Sequence, residues 1–93
     1  MGRLHYGTQT DAFDIEDTTL AHVEIVVLAK LRRNESFALG LNGPGTIRST
    51  LWIHPAASLQ FRYETARPTI DREWLERLIE SANTAGGIQL DVS

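Results

Sequence analysis

From Ile47 to Tyr63 the side chains sort onto two faces. Ile47, Ser49, Leu51 and Ile53, then Leu59, Phe61 and Tyr63, fall on one. Arg48, Thr50, Trp52 and His54, then Ser58, Gln60, Arg62 and Glu64, fall on the other. Period-two alternation predicts strands with one apolar side and one mainly polar side. Glu35 to Asn42 alternates too, with Phe37, Leu39 and Leu41 together, and Asn42-Gly43-Pro44-Gly45 should reverse the chain into the next strand. With Pro55-Ala56-Ala57 as a second turn, three consecutive strands are expected to form an antiparallel meander. Earlier, Leu4 and Tyr6 alternate with His5, and Phe13 and Ile15 with Asp14, predicting a hairpin across the turn-rich segment from Gly7 to Asp11.

Two stretches switch to helical period. The first begins at Asp17 or Thr18 as N-cap, runs to about Arg33 and stops at Asn34. Its apolar positions nearly encircle it: Leu20, Val23, Val27 and Leu31 form one stripe, Ala21, Ile25 and Leu28 an adjoining flank, and Val26 and Ala29 widen it. His22, Lys30 and Arg33 are left as its main polar points. A helix this apolar is either wedged deep in the domain or covered by another chain. Ala21, Ile25 and Leu28 are therefore the expected interface of a homodimer. In the second helix Asp71 can cap, Ile70 and Leu75 have the spacing of a hydrophobic staple, and Trp74, Leu75, Leu78, Ile79 and Ala82 form the stripe. Arg67-Pro68 breaks the sheet before it; Gly86 or Gly87 ends the connection after it. Ile88, Leu90 and Val92 make a last strand. The order is β-β-α-β-β-β-α-β, an α+β domain with two helices packed on one face of a mainly antiparallel sheet.

Composition narrows the function classes. Ninety-three residues with 42% hydrophobic and 23% charged content fit one globular domain, residues 1–93, with a single modest core. A net charge of −3 supplies no general attraction to nucleic acid or anionic lipid. The chain has no cysteine, so disulfides and thiolate metal sites are excluded. No signal-peptide core or membrane-length apolar run is visible, and a cytoplasmic location is the expectation.

The polar strand face is the best candidate working surface. Arg48, Thr50, Trp52, His54, Gln60 and Arg62 are expected to share it. An exposed indole among guanidinium groups can anchor a protein partner or stack nucleotides. Its alternative is structural, with Trp52 beneath a loop or in a dimer seam. Lys30, Arg32 and Arg33 form the one basic patch; cations at a helix C-terminus offset its dipole, which explains them without a ligand. His5, His22 and His54 are too dispersed for a metal site, and no cofactor is expected. The glycine-rich loop lacks the Gly-Lys-Ser/Thr ending of a phosphate cradle, and no serine sits in a GxSxG turn. Glu73 and Arg77 are spaced for an ion pair on an exposed helix face. No residue calls for a catalytic role.

Several segments resemble one family: Met-Gly-Arg-Leu-x-Tyr-Gly at the start, Leu20-Ala21-His22-Val23, Lys30-Leu31-Arg32-Arg33-x-Glu35-Ser36-Phe37, Arg48 through Pro55, and Arg72-Glu73-Trp74. The chain is similar there to small stand-alone domains of unknown function from actinobacteria, chiefly Microbacterium and its relatives. Members are often labelled "ATP-dependent DNA ligase". The resemblance implies at most an accessory nucleic-acid-binding role. Ligase adenylation needs a nucleophilic lysine in a Lys-x-Asp-Gly setting, whereas the sole lysine, Lys30, is followed by Leu-Arg-Arg. A non-catalytic binding or assembly module is the leading expectation, an accessory nucleic-acid binder the second, and an enzyme the third.

Overall fold

A computed structural model describes residues 1–7, 12–43, 48–65 and 68–91. The expectations for Ile47, Val92, Arg67, the Pro44-Gly45 reversal and most of the Gly7–Asp11 turn lie outside the described residues. The elements are β1 (Gly2–Tyr6), β2 (Ala12–Ile15), α1 (Asp17–Arg32), β3 (Phe37–Asn42), β4 (Arg48–Ile53), β5 (Leu59–Arg62), α2 (Arg72–Ala82) and β6 (Ile88–Asp91). Class and order are those the sequence predicts: α+β, β-β-α-β-β-β-α-β.

The strands divide into two three-stranded sheets, β2-β1-β5 and β4-β3-β6. This corrects the expected meander. β3 and β4 pair antiparallel, but β5 leaves β4 and pairs antiparallel with β1. The turn closed by Ala57 N–H on His54 O, 3.0 Å, hands the chain from one sheet to the other. The destination follows from packing. In the β1–β5 register Phe61 lies opposite Leu4 and Leu59 opposite Tyr6. Cross-strand aromatic–aliphatic pairs of this kind are favourable by roughly 0.2–1 kcal/mol each. β6 joins the other sheet parallel to β3. Its approach depends on Gly87, whose φ is +67° and whose added Cβ would collide with the Ala38 carbonyl.

One core serves both sheets and both helices. Leu4 and Ile15, Leu20, Val23, Val26 and Val27, Phe37, Leu39 and Leu41, Ile53, Leu78, Ile88 and Leu90 are all buried in it. Each such Leu, Ile, Val or Phe contributes roughly 1.5–3 kcal/mol by leaving water. α1 packs on β1, α2 on β3 and β6, and the helices pack on each other.

Both helix stops follow from local chemistry. Asn34 takes the left-handed conformation, φ 58°, while its N–H bonds Leu31 O and that of Glu35 bonds Lys30 O. That is a Schellman ending, with Asn supplying the αL residue usually provided by Gly. Asp71 caps α2, accepting from Glu73 N at 3.0 Å and Trp74 N at 3.3 Å. The start of α1 differs from expectation. Glu16 occupies the N-cap without a side-chain bond, and Asp17 is the first helical residue. The Asp17 carboxylate instead reaches across the fold to Thr65, accepting its backbone N–H at 2.7 Å and its hydroxyl.

Two of the three polar points read on α1 are interior. His22 is fully buried and Lys30 is 5% exposed. Lys30 Nζ donates to Asn83 Oδ1, 2.5 Å, beyond the end of α2, and lies 3.3 Å from Glu35. His22 contacts Asp71 at the start of α2. With His22 at one end of α2 and Lys30 at the other, the helices run in the same direction, tied by a polar contact at each end.

Candidate functional site

The outer face of the β4-β3-β6 sheet is built by strict alternation. Along β4, Arg48, Thr50 and Trp52 are exposed, Ser49 and Leu51 half-buried, and Ile53 buried. Trp52 is 57% exposed. Across the sheet it stands beside Ala38; the next row runs Thr50, Gly40, Gln89, and the one after it Arg48, Asn42, Asp91, from β4 through β3 to β6. The central strand thus contributes only Ala38 and Gly40 to the middle of the face, leaving a low floor from which the indole projects. The Gln89 amide lies over Gly40, where any Cβ would displace it, and its Nε2 donates to Gly86 O at 3.1 Å. At the back of the same strand the Tyr6 hydroxyl donates to Trp52 O, 2.6 Å, occupying one acceptor of this edge strand.

The six residues expected on one surface fall into two groups. Arg48, Thr50 and Trp52 are on the outer face of β4, and His54 follows, half-buried, in the turn. Gln60 and Arg62 are exposed on β5 in the other sheet, opposite His5 and Arg3. Sequence reasoning missed Arg3 and His5 as surface partners. The same alternation that identified β1 from Leu4 and Tyr6 already placed them on its far face.

The helix layer carries a second surface. Ala21, Ile25 and Leu28 of α1 line a hollow of about 390 Å³ with Glu24, Tyr63, Pro68 and Ile70. Ile70 also borders a neighbouring hollow of about 440 Å³ with Arg72, Leu75, Glu76 and Ile79 of α2. Ile25 and Leu28 of α1 and Ile70, just before α2, are 39%, 44% and 37% exposed, and with half-buried Leu75 and Ile79 of α2 they form one apolar strip. Tyr63 closes its edge by donating to Glu24 Oε1 at 2.5 Å. Burial, then this bond and the Glu24 charge, push the Tyr63 phenol well above its usual range.

The basic patch is not assembled on the surface. Lys30 is committed to Asn83 and Glu35, Arg33 Nη2 lies 3.5 Å from Glu35, and of the three only Arg32 is exposed with no ion pair to the described residues. Among those residues, no three His, Asp or Glu side chains converge to hold a metal ion, and no helix is long and apolar enough to cross a membrane.

The fold and these faces define a small two-sheet α+β domain with an open, Trp-bearing sheet surface and an apolar helix strip on its other layer. The chain belongs to the family described as a domain of unknown function, DUF7882, whose family model matches residues 1–93. No curated protein and no solved structure matches it.

Proposed function

We propose that this domain is a non-catalytic binding or assembly module, homodimeric through its helix strip, that engages a protein partner with the outer face of β4. The observation that carries the reading is Trp52, 57% exposed beside the small side chain of Ala38. An indole left standing in water gains nothing for the fold, whereas in an interface it gives large, rigid contact area. Ile25, Leu28 and Ile70 support the assembly half of the proposal. Exposed apolar side chains of α1 and of the segment leading into α2, gathered in one strip, are the kind of surface that a second copy covers. The domain is assigned to the cytoplasm as part of the same proposal.

Light scattering on the wild-type chain and on Ile25→Glu and Leu28→Glu variants tests the assembly half. A dimer mass that falls to monomer in the variants supports it. A wild-type monomer across the micromolar range removes it, leaving the β4 face to be tested separately.

Accessory nucleic-acid binding is the second reading. It draws on Arg48 and Arg62 together with Trp52. The two arginines lie on different sheets, and the net charge of −3 works against a phosphate backbone, so it ranks below a protein partner. Unchanged fluorescence anisotropy of single- and double-stranded oligonucleotides at low salt would eliminate it.

A further inference from the structure

The outer face of the β2-β1-β5 sheet holds an arrangement that folding does not require. Arg3 of β1 stands directly opposite Arg62 of β5 in the antiparallel register. Both are exposed, while their strand neighbours Leu4 and Phe61 pack inward. Like charges directly opposite each other across strands are destabilising. One carboxylate offsets them: Asp14, opposite Arg3 on β2, lies 3.1 Å from Arg3 Nε. This bond uses Arg3 Nε, and among the described residues no hydrogen bond engages its Nη groups. Among the described residues no carboxylate pairs with Arg62. The two arginines border a depression of about 290 Å³ together with Met1, Tyr63 and Glu64. Glu64 sits at its rim with a side chain 77% exposed. One row along the same face, His5 faces Gln60 and adds further hydrogen-bonding groups.

We propose that Arg3 and Arg62 form a site for a phosphate-type oxyanion, a phosphoryl or pyrophosphoryl group of a small molecule. Guanidinium forks bind such groups through paired N–H donors, and an oxyanion between them converts a repulsive pair into a bridged one. Asp14 pairs with Arg3 and Glu64 lies 3.6 Å from the Met1 ammonium, so these charges largely offset one another and recognition rests on the geometry of the forks rather than on the general field. With both side chains exposed, affinity is modest. This site is independent of the Trp52 face, which belongs to the other sheet.

The test is an NMR titration of the full chain with sodium phosphate and with sodium pyrophosphate, ionic strength held constant with sodium chloride. Saturable shifts confined to β1, β5 and the arginine Nε–H signals are expected, with tighter binding of pyrophosphate. Arg62→Gln should weaken binding about tenfold and leave thermal stability unchanged or raised, because it relieves the like-charge pair. Shifts that chloride reproduces, that spread over the surface, or that persist in Arg62→Gln overturn the site. If Arg62→Gln lowers stability, Arg3→Lys decides. It keeps the charge and removes the fork, so undiminished pyrophosphate shifts in that variant also overturn the proposal.

Discussion

His22 Nε2 accepts the backbone N–H of Asp71 at 2.8 Å, and through that bond α1 completes the cap of α2. In a capping box the N3 side chain takes the N-cap N–H. Here N3 is Trp74, which has no acceptor, and an imidazole from the neighbouring helix takes its place. Its other nitrogen, Nδ1, lies 2.6 Å from Thr18 O and must donate, which fixes the neutral Nδ1–H tautomer. The imidazole also packs against Trp74, ring centroids 4.3 Å apart at 32°. His22→Ala strands the Asp71 N–H and opens a cavity in the helix contact. A loss of about 2–4 kcal/mol in urea unfolding is expected. A loss below about 1 kcal/mol would show that water replaces the imidazole.

Acid should act through Asp17. The Thr65 hydroxyl bond, reinforced by the backbone N–H groups of Thr65 and Glu64, holds its carboxyl below the ordinary value of 3.8 in spite of burial. A depressed folded-state pKa contributes stability that is present above the unfolded value and lost as pH falls through the folded one. Thermal midpoints of the wild type should therefore drop below pH 3.8, and Asp17→Asn should be less stable at neutral pH with a flatter acid limb. An unchanged acid limb in Asp17→Asn would assign acid sensitivity to other carboxylates.

Alkali should act through Tyr63. Its folded-state pKa is raised above the ordinary 10.0, first by burial and then by its bond to Glu24. The proton is thus held more tightly in the folded chain, so this contribution is intact below 10.0 and fades as pH climbs beyond it. Stability should fall on the alkaline side in the wild type and fall less steeply in Tyr63→Phe. Spectroscopic titration of Tyr6→Phe, in which Tyr63 is the one remaining tyrosine, should show its phenol ionising above the ordinary 10.0. Ionisation at or below 10.0 would contradict the tight Tyr63–Glu24 contact.

Trp52→Ala should barely alter folding. A residue 57% exposed whose strand neighbour Ile53 is fully buried carries little of the core, and a change within about 0.5 kcal/mol is expected. Ile53→Ala on the opposite face should cost about 2–5 kcal/mol. Comparable losses in the two variants would show the indole to be packed, and the proposed contact face would be lost with it.

What could be read from the sequence divides along physical lines. Strand faces, the α2 cap at Asp71 and the Asn34 stop depend on neighbours within a few residues, and each is where its local chemistry puts it. The sidedness of β4 and β5 holds residue by residue. The partner of β5 is a different kind of fact. Alternation fixes which face of Leu59 and Phe61 is inward but not whether β4 or β1 lies alongside, and so the six-residue surface proved to be two. His22 and Lys30 stand out as polar points by their chemistry, although Lys30 falls on the helical period of Val23 and Val27. Their burial depends on Asp71 and Asn83, partners far along the chain that no periodicity reveals.

The place of β1 between β2 and β5 sets a schedule for synthesis. Of the three strands of this sheet, β1 and β2 are made first and pair only with each other until β5 follows, and an isolated two-stranded hairpin is marginal in water. The edge of β1 that pairs with β5 stays without its neighbour until the segment carrying Phe61 has left the ribosome. The early product is thus a nascent chain whose open β1 edge can be captured by another copy before β5 arrives. The order of translation, as much as the finished packing, bears on how cleanly this small domain accumulates.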